Sequence, residues 1–91
     1  MEIEIDPVKD AINRRQHDGL SLALAAELEW DEAVYELDDR FLYDEIRINA
    51  TVPLGNRLYL VTYTERGESM RVISLRFATN KEKMRYVKHY R

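Results

Sequence analysis

Arg47, Arg66, Arg71 and Arg76 lie in a stretch whose residue types suit neighbouring strands. A guanidinium keeps its charge and can fork two phosphate oxygens, so arginines interleaved with hydroxyls suit a phosphodiester. Side chains alternate along a strand. Alternation therefore puts Thr62, Thr64 and Arg66 on one face and Tyr59, Val61, Tyr63 and Glu65 on the other. In the following segment Val72, Ser74 and Arg76 share a face, and Arg71, Ile73, Leu75 and Phe77 share the opposite one. With Ile73, Leu75 and Phe77 turned to a core, Ser74 and Arg76 come beside Thr62, Thr64 and Arg66, and Arg47 can join from a neighbouring strand. The same residues also fit a solvated face on which the arginines pair with Glu45, Glu65 or Glu68. His17 carries an imidazole that could serve as acid or base, or could simply interact with the C-terminal end of a helix. Glu65 could accept a proton or pair with an arginine. Lys9 could meet a phosphate or pair with Asp6 or Asn13. His89, near the C-terminus, reads as solvated. Two distant histidines and no cysteine give only a weak metal-site signal, and no metal or cofactor is expected.

The elements that must position these groups belong to one small domain spanning residues 1–91. Hydrophobic residues make up 45% of the chain, enough for a single core. Without cysteine, disulfides and thiol catalysis are excluded. No apolar run approaches the ~20 residues of a membrane span, and the start shows no secretory signal, so a cytoplasmic protein is expected. The net charge of −3 speaks weakly against nucleic acid, but it is unevenly spread. Residues 1–56 carry five Lys+Arg against fourteen Asp+Glu, whereas residues 57–91 carry nine against three. Such polarity fits either a basic face that attracts phosphates or two halves that neutralise each other.

Glu2 to Asp6 alternates as a strand. Asp6-Pro7 reads as an N-cap with proline at the first helical position, predicting a helix over about 7–17 that ends at Asp18-Gly19. Ser21 can cap a second helix, Leu22 to about Glu29, with Leu24, Ala25 and Leu28 as core. Strands are expected over Ala33–Leu37, Glu45–Val52, Arg57–Glu65 and Met70–Phe77. The turns between them are Asp38-Asp39-Arg40, then Pro53 with Gly55-Asn56, then Arg66-Gly67-Glu68. Thr79-Asn80-Lys81-Glu82 is a capping box for a last helix running to about His89. The expected fold is α+β: an antiparallel sheet of four to five strands, two N-terminal helices and one C-terminal helix, in the order β-α-α-β-β-β-β-α. Tyr59 and Tyr63 share one face of the strongest strand, where they could stack bases or, as the favoured reading, fill the core. Trp30 reads as a core or interface anchor.

Three blocks carry a resemblance to a known family. The first is Asp6-Pro7-Val8-Lys9-Asp10-Ala11-Ile12-Asn13, with His17 and Gly19-Leu20-Ser21. The second is Arg57-Leu58 with Val61-Thr62-Tyr63-Thr64-Glu65-Arg66-Gly67. The third is Arg71-Val72-Ile73-Ser74-Leu75-Arg76-Phe77-Ala78-Thr79, with Glu82 and Tyr86. In this order the chain resembles the BrnT family of type II toxin–antitoxin systems. It departs from the family pattern at Ile5, Gln16 and the inserted Asp18, and in the acidic stretch from Trp30 to Arg47. The resemblance implies a RelE-like fold and a metal-independent ribonuclease toxin that inhibits translation. It also implies restraint by a BrnA-like antitoxin, a ribbon-helix-helix protein through which operator DNA is bound indirectly. Such cleavage needs a base for the 2′-OH, cations for the transition state and an acid for the leaving oxygen. On this reading Arg47, Arg66, Arg76, His17 and Glu65 are the catalytic candidates, and Lys9, Arg71, Thr64, Ser74 and Lys81 the RNA contacts. A second reading is a weakly active or inactive relative that serves as a binding module in a repressor complex. A third is a structural interaction domain without nucleic acid. The antitoxin is expected to cover the 57–77 hairpin or the last helix. Alternatively, Trp30 and the Ala/Leu helix could form a homodimer patch.

Overall fold

A computed structural model describes residues 2–38 and 45–90. The chain forms β1 (Glu2–Glu4), α1 (Pro7–Gln16), two 3-10 segments (Leu22–Glu27 and Trp30–Glu32), β2 (Val34–Leu37), β3 (Ile48–Leu54), β4 (Arg57–Arg66), β5 (Ser69–Phe77) and α2 (Asn80–His89). The strands make one sheet in the order β1-β5-β4-β3-β2. β2 to β5 are antiparallel neighbours, as expected, but β1 pairs with β5 in parallel, so the sheet is mixed. The chain between these parallel partners runs through α1, the 3-10 segments and β2 to β4, so it far exceeds the crossover length that a parallel pair requires.

The start of α1 follows from its sequence. Asp6 Oδ1 accepts from the Val8 N–H at 2.9 Å, and proline occupies the first turn. The helix interior differs from an ordinary amphipathic packing. Val8 is 68% exposed, while Asn13 is buried at 3%. The Asn13 carboxamide donates to Leu75 O at 2.8 Å and to Leu20 O at 2.9 Å, and accepts from Leu75 N–H at 3.0 Å. β1 is hydrogen-bonded to β5 only as far as Arg71, which leaves the later part of β5 without a strand neighbour on that side. Asn13 takes the place of that strand at Leu75, meeting a donor and an acceptor that would otherwise be buried without partners.

The expected second α-helix is corrected to two 3-10 segments. Its buried residues are Leu22, Ala25 and Leu28, spaced by three. A 3-10 helix has three residues per turn and stacks positions i and i+3, so Leu22 and Ala25 lie directly in line against the sheet. Leu28 is then extended, and a second short turn brings Trp30 inward, with its indole N–H donating to Ala25 O at 2.8 Å. Because Leu22, Ala25 and Leu28 face inward, the Ala/Leu segment does not present them as a homodimer patch.

The core lies between this layer and one sheet face, built from Val52, Val61, Val72 and Leu75 with Tyr59 and Tyr63. Tyr63 is buried and meets Trp30 edge-on at 5.9 Å; burial, with a smaller contribution from nearby Tyr35 and Glu65, pushes its hydroxyl up to about 12. β3 continues past Pro53 to Leu54, beyond the expected stop. β2 pairs only as far as Thr51, so the missing proline N–H costs no ladder bond there. The turn follows at Gly55, whose φ of +61° suits glycine. The turn expected at 38–40 lies partly outside the described residues. The capping box is present as read, with Thr79 and Glu82 bonding reciprocally at 3.2 and 2.8 Å.

Candidate nucleic-acid interface

The second sheet face is polar, and a bulge determines who stands on it. Thr62 pairs with Ser74 and Tyr63 with Val72, leaving Ile73 as the extra residue of β5. Beyond this bulge the parity of β5 is reversed relative to simple alternation. Val72 and Met70 turn to the core, and Arg71 moves to the polar face opposite Thr64. Alternation alone had put Arg71 with the core set, and the bulge corrects that placement. Arg47 immediately precedes β3, one step beyond the Ile48–Tyr63 pair and so level with Thr64; its carbonyl accepts from Asp38 N–H at 2.9 Å. Arg47, Thr64 and Arg71 thus stand abreast on three neighbouring chain segments, with Arg66 two residues along from Thr64. Thr62 lies at the next level, its hydroxyl donating to Asn49 Oδ1 at 2.6 Å.

The arginines differ in how firmly they are held. Arg66 meets Glu45 at 3.7 Å with both side chains nearly half exposed, and Arg71 meets Asp6 at 3.8 Å. Pairs this long and accessible contribute little and can yield to a phosphate. Arg76 instead forks Glu82, with Nη1–Oε1 at 2.9 Å and Nη2–Oε2 at 3.0 Å. Burial raises the Glu82 carboxyl, but the Arg76 and Thr79 hydrogen bonds outweigh it and leave it below its ordinary value. Arg76 therefore ties β5 to the first turn of α2, the opposite end of the face from Arg71.

The other candidates divide by position. Lys9 and Ser74 both line a shallow groove with Gln16 and Ile73, where α1 borders the sheet. Lys81 is exposed in the first turn of α2. Glu65 lies on the opposite side of the sheet from Thr64 and lines an apolar groove with Trp30, Tyr63 and Met70. His17 caps the C-terminal end of α1, a full turn past Asn13, so α1 carries it away from Asp6 and Arg71. His89, which sequence reasoning set aside as solvated, is exposed but lines a cleft on the polar face with Asn49, Thr51 and Tyr86. These residues are brought together by the α2–sheet juxtaposition, and no local motif signals it. Among the described residues no group of His, Cys, Asp or Glu is arranged to hold a metal ion.

This is a small α+β domain with an apolar core on one sheet face and arginines and hydroxyls on the other. Residues 6–82 match a family described as "Ribonuclease toxin, BrnT, of type II toxin-antitoxin system". The match covers most of the chain, and the protein belongs to the BrnT family of ribonuclease toxins. A comparison with curated proteins finds no match. No helix among the described residues is long and apolar enough to cross a membrane.

Proposed function

We propose that the chain is a metal-independent endoribonuclease that inhibits translation, acting from the polar sheet face of a RelE-like fold. The observation that carries this reading is the bulge-dependent alignment of Arg71 with Thr64 and Arg47, next to Arg66. Guanidinium groups there hold the scissile phosphate and offset charge as the 2′-oxygen attacks. Ser74 holds the flanking backbone, Lys9 extends contact along the α1 border, and Lys81 meets the strand near α2, whereas Thr64, expected as an RNA contact, is only 2% exposed and serves as a packed position between the arginines. Arg76 acts by fixing α2 through Glu82. Glu65 lies on the opposite side of the sheet from this face, and His17 stands at the end of α1 remote from Asp6 and Arg71. His89 is the imidazole lining its cleft and is the better placed of the two histidines to move a proton. The loosely paired Arg66 and Arg71 support this reading, since each can exchange a distant carboxylate for phosphate.

A partner antitoxin of BrnA-like, ribbon-helix-helix type would cover the 57–77 hairpin or α2, carrying operator binding with it, in the cytoplasm. The test is cleavage of RNA by purified chain in EDTA, alongside Arg71→Ala and Arg66→Ala. Wild type is expected to cut and each variant to lose at least tenfold. Equal cleavage by all three would defeat the assignment, and a growth test on induced expression separates an active toxin from an inactive binding module.

A further inference from the structure

α2 stands off the polar face and has no buried residue of its own. Polar struts hold it in place. The Arg76–Glu82 fork fixes one end, and Tyr86 and Tyr90 both donate to Glu32 O, at 2.7 and 2.8 Å. Between helix and sheet is a cleft of about 380 Å³, floored by Asn49, Thr51 and Leu60, walled by Tyr86 and closed at one side by Glu36. Its size and mixed lining suit a flat heterocycle with a polar edge.

The edge it would read follows from two cross-strand neighbours. Glu36 and Asn49 are register partners on β2 and β3, with side chains on the same face. Asn49 Oδ1 is occupied by the Thr62 hydroxyl, so its amide group presents donors. Glu36 presents two carboxylate acceptors, held only loosely by Arg85 at 3.6 Å with both side chains more than half exposed. A donor beside a two-oxygen acceptor complements a base edge with one acceptor followed by two adjacent N–H donors. Guanine has that edge in O6, N1–H and N2–H. Adenine, cytosine and uracil lack two adjacent donor positions there.

We propose that this cleft is a guanine-recognition subsite, with Asn49 donating to O6 and Glu36 accepting from N1–H and N2–H. Tyr86 provides an aromatic wall, and Arg85 and Lys88 at the rim meet the flanking phosphate. Asn49 lies one strand repeat, about 7 Å, from the Arg47–Thr64–Arg71 level, so one nucleotide can reach both. This inference rests on the RNA-binding reading and adds base specificity to it.

The experiment measures binding of dye-labelled hexanucleotides of uridine carrying one central guanine, hypoxanthine or adenine. All carry 2′-fluoro groups, which remove the attacking hydroxyl. Wild type is expected to favour guanine over adenine by about tenfold, with hypoxanthine between them because it lacks the N2 amino group. Glu36→Gln should abolish the guanine-over-hypoxanthine difference, and Asn49→Ala should reduce the guanine preference. Glu27→Gln, on a 3-10 segment outside the cleft, should keep both preferences. Thermal melts check that each variant is folded. A guanine-over-hypoxanthine difference that survives Glu36→Gln, no base preference in wild type, or preference for another base overturns the guanine site while RNA binding stands. Failure of wild type to bind any of the three at low salt overturns both.

Discussion

At the scale of single residues, the polar groups that matter most for the fold and for the ligand are different ones. Asn13 sits in the resemblance block, yet its carboxamide is spent on Leu75 and Leu20. Asn13→Ala would leave the buried Leu75 N–H and C=O without that partner, a cost of about 2–4 kcal/mol. For a domain of this size that is a fall in Tm on the order of 10 °C, measurable by calorimetry. The arginines separate in the same way. Arg71→Ala removes a long, accessible pair and is expected to change stability by no more than about 0.5 kcal/mol while lowering RNA affinity about tenfold. Arg76→Ala leaves Glu82, whose side chain is 12% exposed, without its fork, and is expected to cost about 1–3 kcal/mol. Chemical denaturation beside an RNA-binding titration distinguishes the two. If Arg71→Ala unfolds the domain or Arg76→Ala leaves it untouched, the division of labour is wrong. A loss of toxicity in Arg76→Ala alone would not identify a phosphate ligand, because a displaced α2 produces the same phenotype.

At the scale of elements, α2 is a helix attached by ionised and hydrogen-bonded groups, and its attachment should depend on pH. The Glu82 carboxyl is held below its ordinary value near 4.5 by its bonds to Arg76 and Thr79, which outweigh burial. A depressed carboxylate contributes stability above its unfolded pKa and loses that contribution as pH falls through the folded one. Thermal melts between pH 7 and pH 3 should therefore show wild type losing Tm faster than Glu82→Gln below about pH 4.5. Parallel curves would place the acid sensitivity elsewhere, with Asp10 next to examine. Its carboxyl is lowered first by the Leu22 N–H and further by Ser21 and Arg14, against burial. The capping box at Thr79 and the Asp6-Pro7 start were legible because each is decided within four residues. So were the core roles of Tyr59 and Tyr63, which follow from alternation. The 3-10 geometry was present in the Leu22, Ala25, Leu28 spacing but is masked by strong helix formers. The bulge at Ile73 had no local signal, since it is settled by fitting Val72 and Met70 into the core together. One extra residue there moves Arg71 across the sheet, and so the candidate site was legible in its residue types but not in its grouping. The cleft beneath α2 was beyond reach for a similar reason: Glu36, Asn49 and Tyr86 meet only once the sheet order is known.

At the scale of the whole molecule, charge is sorted by segment more than by face. The back half supplies Arg66 and Arg71, but acidic residues of the front half, Asp6 and Glu45, stand 3.8 and 3.7 Å from them. An RNA phosphate must therefore displace carboxylates instead of meeting a bare basic patch, and the net −3 of the chain adds no long-range attraction. Affinity should be modest, and a substantial part of its salt dependence should come from the arginines that make the exchange. With Arg47, Arg66 and Arg71 each releasing one counterion from a single strand, these three together contribute about −2 to the slope of the logarithm of affinity against the logarithm of salt, beyond what the lysines and Arg85 add. Arg66→Ala should flatten that slope by about 0.7. Glu45→Gln should act in the opposite sense, raising affinity at every salt concentration because Arg66 then gives up no carboxylate. Anisotropy titrations of a short single strand between about 50 and 200 mM salt make the comparison. A flat wild-type response would remove the arginine face as the RNA site. A normal slope without any gain in Glu45→Gln would show that the acidic half does not compete with RNA for it.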